Sequence, residues 1–160
     1  MNIELRNIKH AAFASQETNC FEATIYVDGV KAGDARNDGH GGCTFIEPRS
    51  LNDRIEAYAK TLPPIDISDW GLDGKTTMPK TAELVIDQLL TDWLVARDMK
   101  KAMSKRIIFK RDGKMLEFGP FKPDRMAAFL AHPPSVASLR ADHVLNLMPF
   151  ADALALYRKG

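Results

Sequence analysis

Cysteine is nearly absent from these 160 residues: Cys20 and Cys43 are the only two. Two thiols do not make a disulfide scaffold, and a chain of this length can bury a core without one, so a reducing cytoplasm with free thiols is the expected setting. Long hydrophobic runs are missing as well. The longest apolar-rich stretch, Ala82 to Met103, is interrupted by Glu83, Asp87, Asp92, Arg97 and Asp98. A lipid-facing helix would not carry those charges, so no membrane partner is expected. Met1-Asn2-Ile3-Glu4 lacks the basic, then apolar, then small-residue plan of a secretion signal. Nor does one sign of charge dominate: 22 Lys and Arg face 21 Asp and Glu. Bulk charge therefore names no partner, and any such argument has to be local. No phosphate-loop pattern GxxxxGK[ST] and no complete nucleophile–base spacing occurs, so no cofactor is expected and a non-enzymatic role is favoured over an enzymatic one.

An apolar fraction of 45% supplies material for one core, and a single domain over 1–160 is the default reading. A subdivision is available between a strand-rich part, 1–62, and a helix–hairpin–helix–strand–helix part, 80–160, joined by a loop, 63–79.

Residues 3–14 read as a strand that Ser15-Gln16-Glu17-Thr18-Asn19 interrupts. Phe21, Ala23, Ile25 and Val27 then alternate with polar partners at the period of a half-buried strand, and Asp28-Gly29 is a two-residue hairpin turn. Pairing across that turn sets Val27 against Val30 and Ile25 against Ala32, but then Ala23 against Asp34. A bulge near Gly33 would turn Ala35 inward and restore the apolar face. From Pro48, Leu51, Ile55, Tyr58 and Leu62 mark a helix that Pro63-Pro64 ends. Residues 63–79 show no period, yet Ile65, Ile67, Trp70 and Leu72 are too apolar for a plain linker, so this loop is expected to pack on the body or on a partner.

The longest element runs from about Thr81 to Lys105, with Ala82, Ile86, Leu89, Trp93, Ala96 and Met103 in a stripe, acidic residues in its first half and basic ones in its last. Around Asp112-Gly113 a second hairpin sets Phe109 against Leu116 and Ile107 against Phe118, giving one apolar face. A helix from Pro123 to His132, a brief buried strand from His143 to Leu147 and a helix from Pro149 follow. The expected class is α+β, with antiparallel hairpins packed on a long central helix and a short C-terminal helix–strand–helix segment.

Three features bear on function. Asn37-Asp38-Gly39-His40-Gly41-Gly42-Cys43 concentrates three of the ten glycines in seven residues. Asp38 and His40 form a candidate acid–base pair, and the amides around Gly39, Gly41 and Gly42 a candidate anion-binding concavity. The plain structural alternative is a wide turn after the third strand, with positive φ at Gly41 and Gly42. His10, Cys20, His40 and Cys43 are the chain's soft metal donors. Only His40-x-x-Cys43 is compact, and paired zinc knuckles are lacking, so these two are weak metal candidates. From Arg97 to Lys114 eight basic residues face two acidic ones, whereas 61–96 holds two basic against six acidic. Lys101, Lys105, Arg106, Lys110 and Arg111 are therefore candidates for contact with nucleic acid or an acidic surface, against a solvated helix end as the alternative. No aromatic platform for single-strand recognition is evident in this segment.

Ile25-Tyr26-Val27-Asp28-Gly29-Val30-Lys31-Ala32-Gly33, followed by Asn37-Asp38-Gly39-His40-Gly41-Gly42, resembles a pattern in small uncharacterised proteins of bacteriophages and integrated mobile elements. The C-terminal plan is similar too: a hairpin, Gly119-Pro120-Phe121-Lys122-Pro123 before a helix, then Val144-Leu145-Asn146 and Pro149-Phe150 before another. The resemblance implies an origin and no catalytic residues. Small phage proteins of this kind often act by surface binding as inhibitors or adaptors, including against bacterial defence complexes. The expected function is thus docking on a host protein or nucleoprotein complex through Asn37 to Gly42 and the basic segment 97–114. The alternative is a small hydrolase or nucleotide-binding protein that uses Asp38 and His40. Oligomeric state is left open.

Overall fold

The computed structural model describes residues 1–70, 74 and 76–159, with Trp70 described by its backbone alone. Helices and antiparallel sheets coexist along the chain, and the class is α+β. The chain divides into two compact units, Met1–Asp92 and Trp93–Gly160. Among the described residues no helix is long and apolar enough to cross a membrane.

The first unit is built on a four-stranded meander: β1 (Ile3–His10), β2 (Phe21–Val27), β3 (Val30–Asn37) and β4 (Phe45–Glu47), in that spatial order. Asp28 at φ 52° and Gly29 at φ 82° form the tight turn that their sequence demands. Beyond it the register shifts between Ile25 and Tyr26, so that Ile25 faces Gly33 and Ala23 faces Ala35. The bulge restores the apolar face as expected, but the partner of Ile25 is Gly33, not Ala32. Gly33 is needed there because a Cβ would lie 1.9 Å from the Glu47 carbonyl oxygen. A second irregularity, between Arg6 and Lys9, is accompanied by Asn7 at φ 53° and interrupts the long edge strand β1.

Phe21, Ala23, Ile25, Val27, Ala35 and Ile46 make the buried face of this sheet. Leu51, Ile55 and Ala59 of α1 (Arg49–Ala59) and Ala82, Ile86 and Leu90 of α2 (Ala82–Met103) are the buried helical side chains of the same unit. Each fully buried Ile or Leu contributes on the order of 2 kcal/mol. Glu56 ties the two helices by accepting from the Ala82 N–H at 2.7 Å. Within 63–79, β5 (Ile65–Asp66) pairs with β6 (Thr77–Met78), and Ile67 is 1% exposed, which gives that segment a packed apolar residue. Leu72 and the Trp70 side chain, expected to pack with it, lie outside what is described.

α2 passes from one unit into the other, and between Thr91 and Asp98 none of its residues is fully buried. In the second unit β7 (Ile107–Arg111) is the centre of a three-stranded sheet, flanked by β8 (Lys114–Phe118) and β9 (His143–Val144). The hairpin register matches expectation, with Ile107 on Phe118 and Phe109 on Leu116. The second face is apolar too. Ile107 and Phe109 pack with Met126 and Phe129 of α3 (Pro123–Ala131) and with Leu139, which follows α4 (Pro133–Ser138). Ile108 packs oppositely with Met99 and Met103 of α2 and with Ala153 and Leu154 of α5 (Phe150–Tyr157). Two differences from the sequence reading appear here. A short helix with proline in its first turn follows His132, and after β9 the backbone turns 3-10 at Leu145–Leu147, so the expected strand to Leu147 stops at Val144. Asn146 explains that stop: its side chain accepts from the Ile108 N–H and donates to the Met103 and Arg106 carbonyls.

Candidate functional site

At one end of the four-stranded sheet the β1–β2 and β3–β4 connections come together. Asn37, the last residue of β3, is 6% exposed and joins them. Its Oδ1 accepts from Thr18 Oγ1 at 2.8 Å and from the Gly39 N–H at 2.9 Å. Its Nδ2 donates to the Gly42 carbonyl at 2.8 Å and to Thr44 Oγ1 at 3.3 Å. Asn37 was a candidate contact residue on sequence grounds; the structure turns it inward, where its amide holds the loop. The Gly39 carbonyl then accepts from the N–H groups of Gln16, Glu17 and Thr18. A side chain cannot enter at Gly39, since its Cβ would lie 2.2 Å from the Ala14 carbonyl oxygen and φ is 87°. Positive φ falls at Gly39 and Gly41, not at Gly42, which has open space around it.

Thr44 anchors the exit of the loop to α2. Its N–H donates to Glu83 at 2.8 Å and its hydroxyl to Asp87 at 2.8 Å. Burial pushes the Asp87 carboxyl above its usual range, the Thr44 hydroxyl opposes that shift, and the neighbouring Glu83 charge reinforces it. Thr18, Asn19, Asn37, Thr44 and Asp87 line a depression of about 120 Å³ beside this anchor. Sequence reasoning missed Thr18, Thr44, Glu83 and Asp87 as supports. The one cue was two like charges four residues apart on a helix, an arrangement that costs stability unless both have partners.

Against this tied backbone, Phe13 (93% exposed), Asp38, His40, Cys43 and Phe45 (60% exposed) are turned outward. His40 Nδ1 lies 3.7 Å from Asp38 Oδ1, both side chains being well exposed. The same Asp38 oxygen accepts from the His40 N–H at 3.2 Å, which is the geometry of an Asx turn. The pair is thus exposed and held by a local turn. Beside it is an open depression of about 320 Å³ lined by Cys20, Glu22, Arg36, Asn37, Asp38 and Phe45. His10 lies against Asn19 at 3.2 Å. Among the described residues no three His, Cys, Asp or Glu side chains gather as a metal-ligand set, so His40 and Cys43 are given no third donor.

The basic segment belongs to the second unit, where thirteen Lys and Arg face six Asp and Glu, a formal +7; the first unit holds nine against fifteen, a formal −6. The near-neutral total is the sum of two opposite units. Within the second, β7 separates Arg106 from Arg111 by roughly 17 Å, the length of a five-residue strand. Arg106 is paired with Glu117, and Arg111 donates to the Leu139 carbonyl at 3.3 Å. Lys101 and Lys105 are exposed and Lys110 is half-buried. Arg97 pairs with Asp98, and Lys100 lies 4.7 Å from the centre of the Phe150 ring. Of the candidates in 97–114, Arg97, Lys100, Arg106 and Arg111 thus have partners within the unit, whereas Lys101 and Lys105 are exposed. An aromatic residue does accompany one end: Phe118, 45% exposed, pairs with Ile107 next to Lys105 and Arg106.

The chain matches no protein-family model, no curated protein and no solved structure in the comparisons made with each.

Proposed function

We propose that this chain is a non-enzymatic docking protein of phage or mobile-element origin, which binds a host protein through the loop end of its four-stranded sheet. One observation carries the reading. The backbone of 37–44 is fixed by Asn37, Gly39 and Thr44, while Phe13, His40 and Phe45 point into solvent from it or its immediate neighbours. A rigid frame presenting two exposed aromatic rings and an imidazole loses little conformational entropy on association, and aromatic side chains are enriched where interfaces draw their energy. The resemblance to mobile-element proteins supports the origin, and inhibition of a bacterial defence complex is the role this class suggests. The hydrolase or nucleotide-binding alternative rests on Asp38 and His40, whose contact an Asx turn already explains.

The test is affinity purification from native host cells followed by mass spectrometry. A stoichiometric protein partner is the expected result. Recovery of no such partner, together with a bound nucleotide or metal, would overturn the proposal in favour of the alternative.

A further inference from the structure

The exposed Phe118 ring has a structural setting that the basic segment alone does not reveal. Phe118 closes β8, an edge strand, and stands edge-on to Phe121 at 5.0 Å between ring centres. Phe129 of α3 supports it from a third direction at 5.6 Å. Three rings in contact hold one another's orientation, yet Phe118 keeps 45% of its surface in water.

Three cationic residues lie close to the cluster along the backbone. The Phe121 N–H donates to the Lys105 carbonyl at 2.8 Å, which brings Lys105 beside the aromatic cluster. Lys122 is the next residue after Phe121, and Arg125 lies one turn before Phe129 on α3. All three are exposed, and none forms an ion pair with another described residue. The far end of β7 differs: there the Asp112 N–H donates to Asp142 Oδ2 at 3.0 Å, and Asp112 and Asp142 bring negative charge next to Lys110 and Arg111. The ring's end has acidic residues too: Glu117, which pairs with Arg106, and the exposed Asp124 between Lys122 and Arg125, so the four cations Lys105, Arg106, Lys122 and Arg125 leave a local excess of +2 there.

We propose that this edge of the second unit binds single-stranded nucleic acid, with a base stacked on Phe118 and backbone phosphates met by Lys105, Lys122 and Arg125. Stacking on an aromatic ring flanked by cations is the general means of holding unpaired strands without reading sequence. A duplex offers phosphates but keeps its bases stacked inside, so the ring gives the strand preference and the cations give the salt dependence. The inference is independent of the docking surface on the first unit.

The experiment is fluorescence anisotropy of the full chain with labelled dT20, rU20 and a 20-base-pair duplex across a salt series. Both single strands should bind more tightly than the duplex. With three phosphate contacts the slope of log K against log salt should be about −2. Phe118→Ala should weaken single-strand binding about tenfold, and Phe118→Trp should restore it, which separates stacking from any loosening of the aromatic cluster. Lys105→Glu with Lys122→Glu should flatten the slope. No binding at low salt would overturn the proposal. So would equal affinity for duplex and single strand, or binding indifferent to Phe118→Ala in a variant whose circular dichroism matches the parent.

Discussion

Replacing Asn37 with alanine is the sharpest probe of how the loop end is held. Four hydrogen bonds end on this one amide: two accepted at Oδ1 from Thr18 and Gly39, two donated from Nδ2 to Gly42 and Thr44. The net worth of each is roughly 1 kcal/mol, and a donor left buried without a partner adds its own desolvation cost. Gly39 is such a donor, being buried beneath Ala14 and Cys20. The half-buried Thr18 hydroxyl can recover water in part, so the total loss should be about 2–4 kcal/mol. Asn37→Asp separates the two halves of the amide. It keeps the acceptor for Thr18 and Gly39 but sets an oxygen against the Gly42 carbonyl and brings a third carboxylate towards Asp87 and Glu83. At neutral pH it should be at least as destabilising as alanine, and the loss should shrink in acid as the new carboxylate is protonated. Urea unfolding followed by circular dichroism gives the stability, and amide exchange at Gly39 gives the local effect. An alanine variant within about 0.5 kcal/mol of the parent, with Gly39 still protected from exchange, would refute the role assigned to Asn37.

Two further predictions concern neighbouring groups. Alanine at Gly39 meets the Ala14 carbonyl and should be the most destabilising change in the glycine cluster; at Gly41 it meets only the movable end of Glu17 and should cost on the order of 1 kcal/mol for φ; at Gly42 it should be nearly neutral, and thermal melts of the three variants that do not follow this order would count against the geometry. Asp87 has a folded carboxyl raised by burial above its ordinary 3.8, so its contribution to stability is complete below about 3.8 and is lost as pH rises through the folded value; Asp87→Asn, which keeps an acceptor for Thr44, should gain on the parent from pH 3 to 7, and a constant or reversed difference in urea midpoints would contradict the assignment.

Much of the local structure was legible because it depends on neighbours in sequence. The alternation from Phe21 to Val27 gave a strand with the predicted buried residues, and Asp28-Gly29 and Asp112-Gly113 gave turns with positive φ at both residues. The bulge in β3 was visible as a failure of the apolar face, though its register depended on how closely Glu47 approaches Gly33. The pairing across Asp112-Gly113 showed one apolar face of β7, and the burial of Ile108 on the other face was not foreseen, although Ile107-Ile108-Phe109 is a continuous apolar run. What was not legible depends on residues distant in sequence. Asn37 could not be distinguished from the exposed residues after it, because its partners Thr18 and Thr44 come from other connections. Glu83 and Asp87 read as helix-dipole charges, whereas they also anchor Thr44 across about forty residues. The charge polarity was partly visible from 61 to 114, but its division into units of −6 and +7 follows only once the fold places the boundary at Asp92.

If the loop end of the first unit is a docking surface, its exposed side chains should decide which protein is retained. The parent, a Phe13→Ser/His40→Ala double variant and Phe118→Ala should each be purified from native host cells and their bound proteins quantified. Phe13 is 93% exposed and the His40 side chain 59%, so the double variant should melt within a few degrees of the parent, as surface changes normally do. A stoichiometric protein should be retained by the parent and by Phe118→Ala but lost from the double variant. A double variant that stays folded and retains the same protein at the same ratio would contradict docking through the loop end.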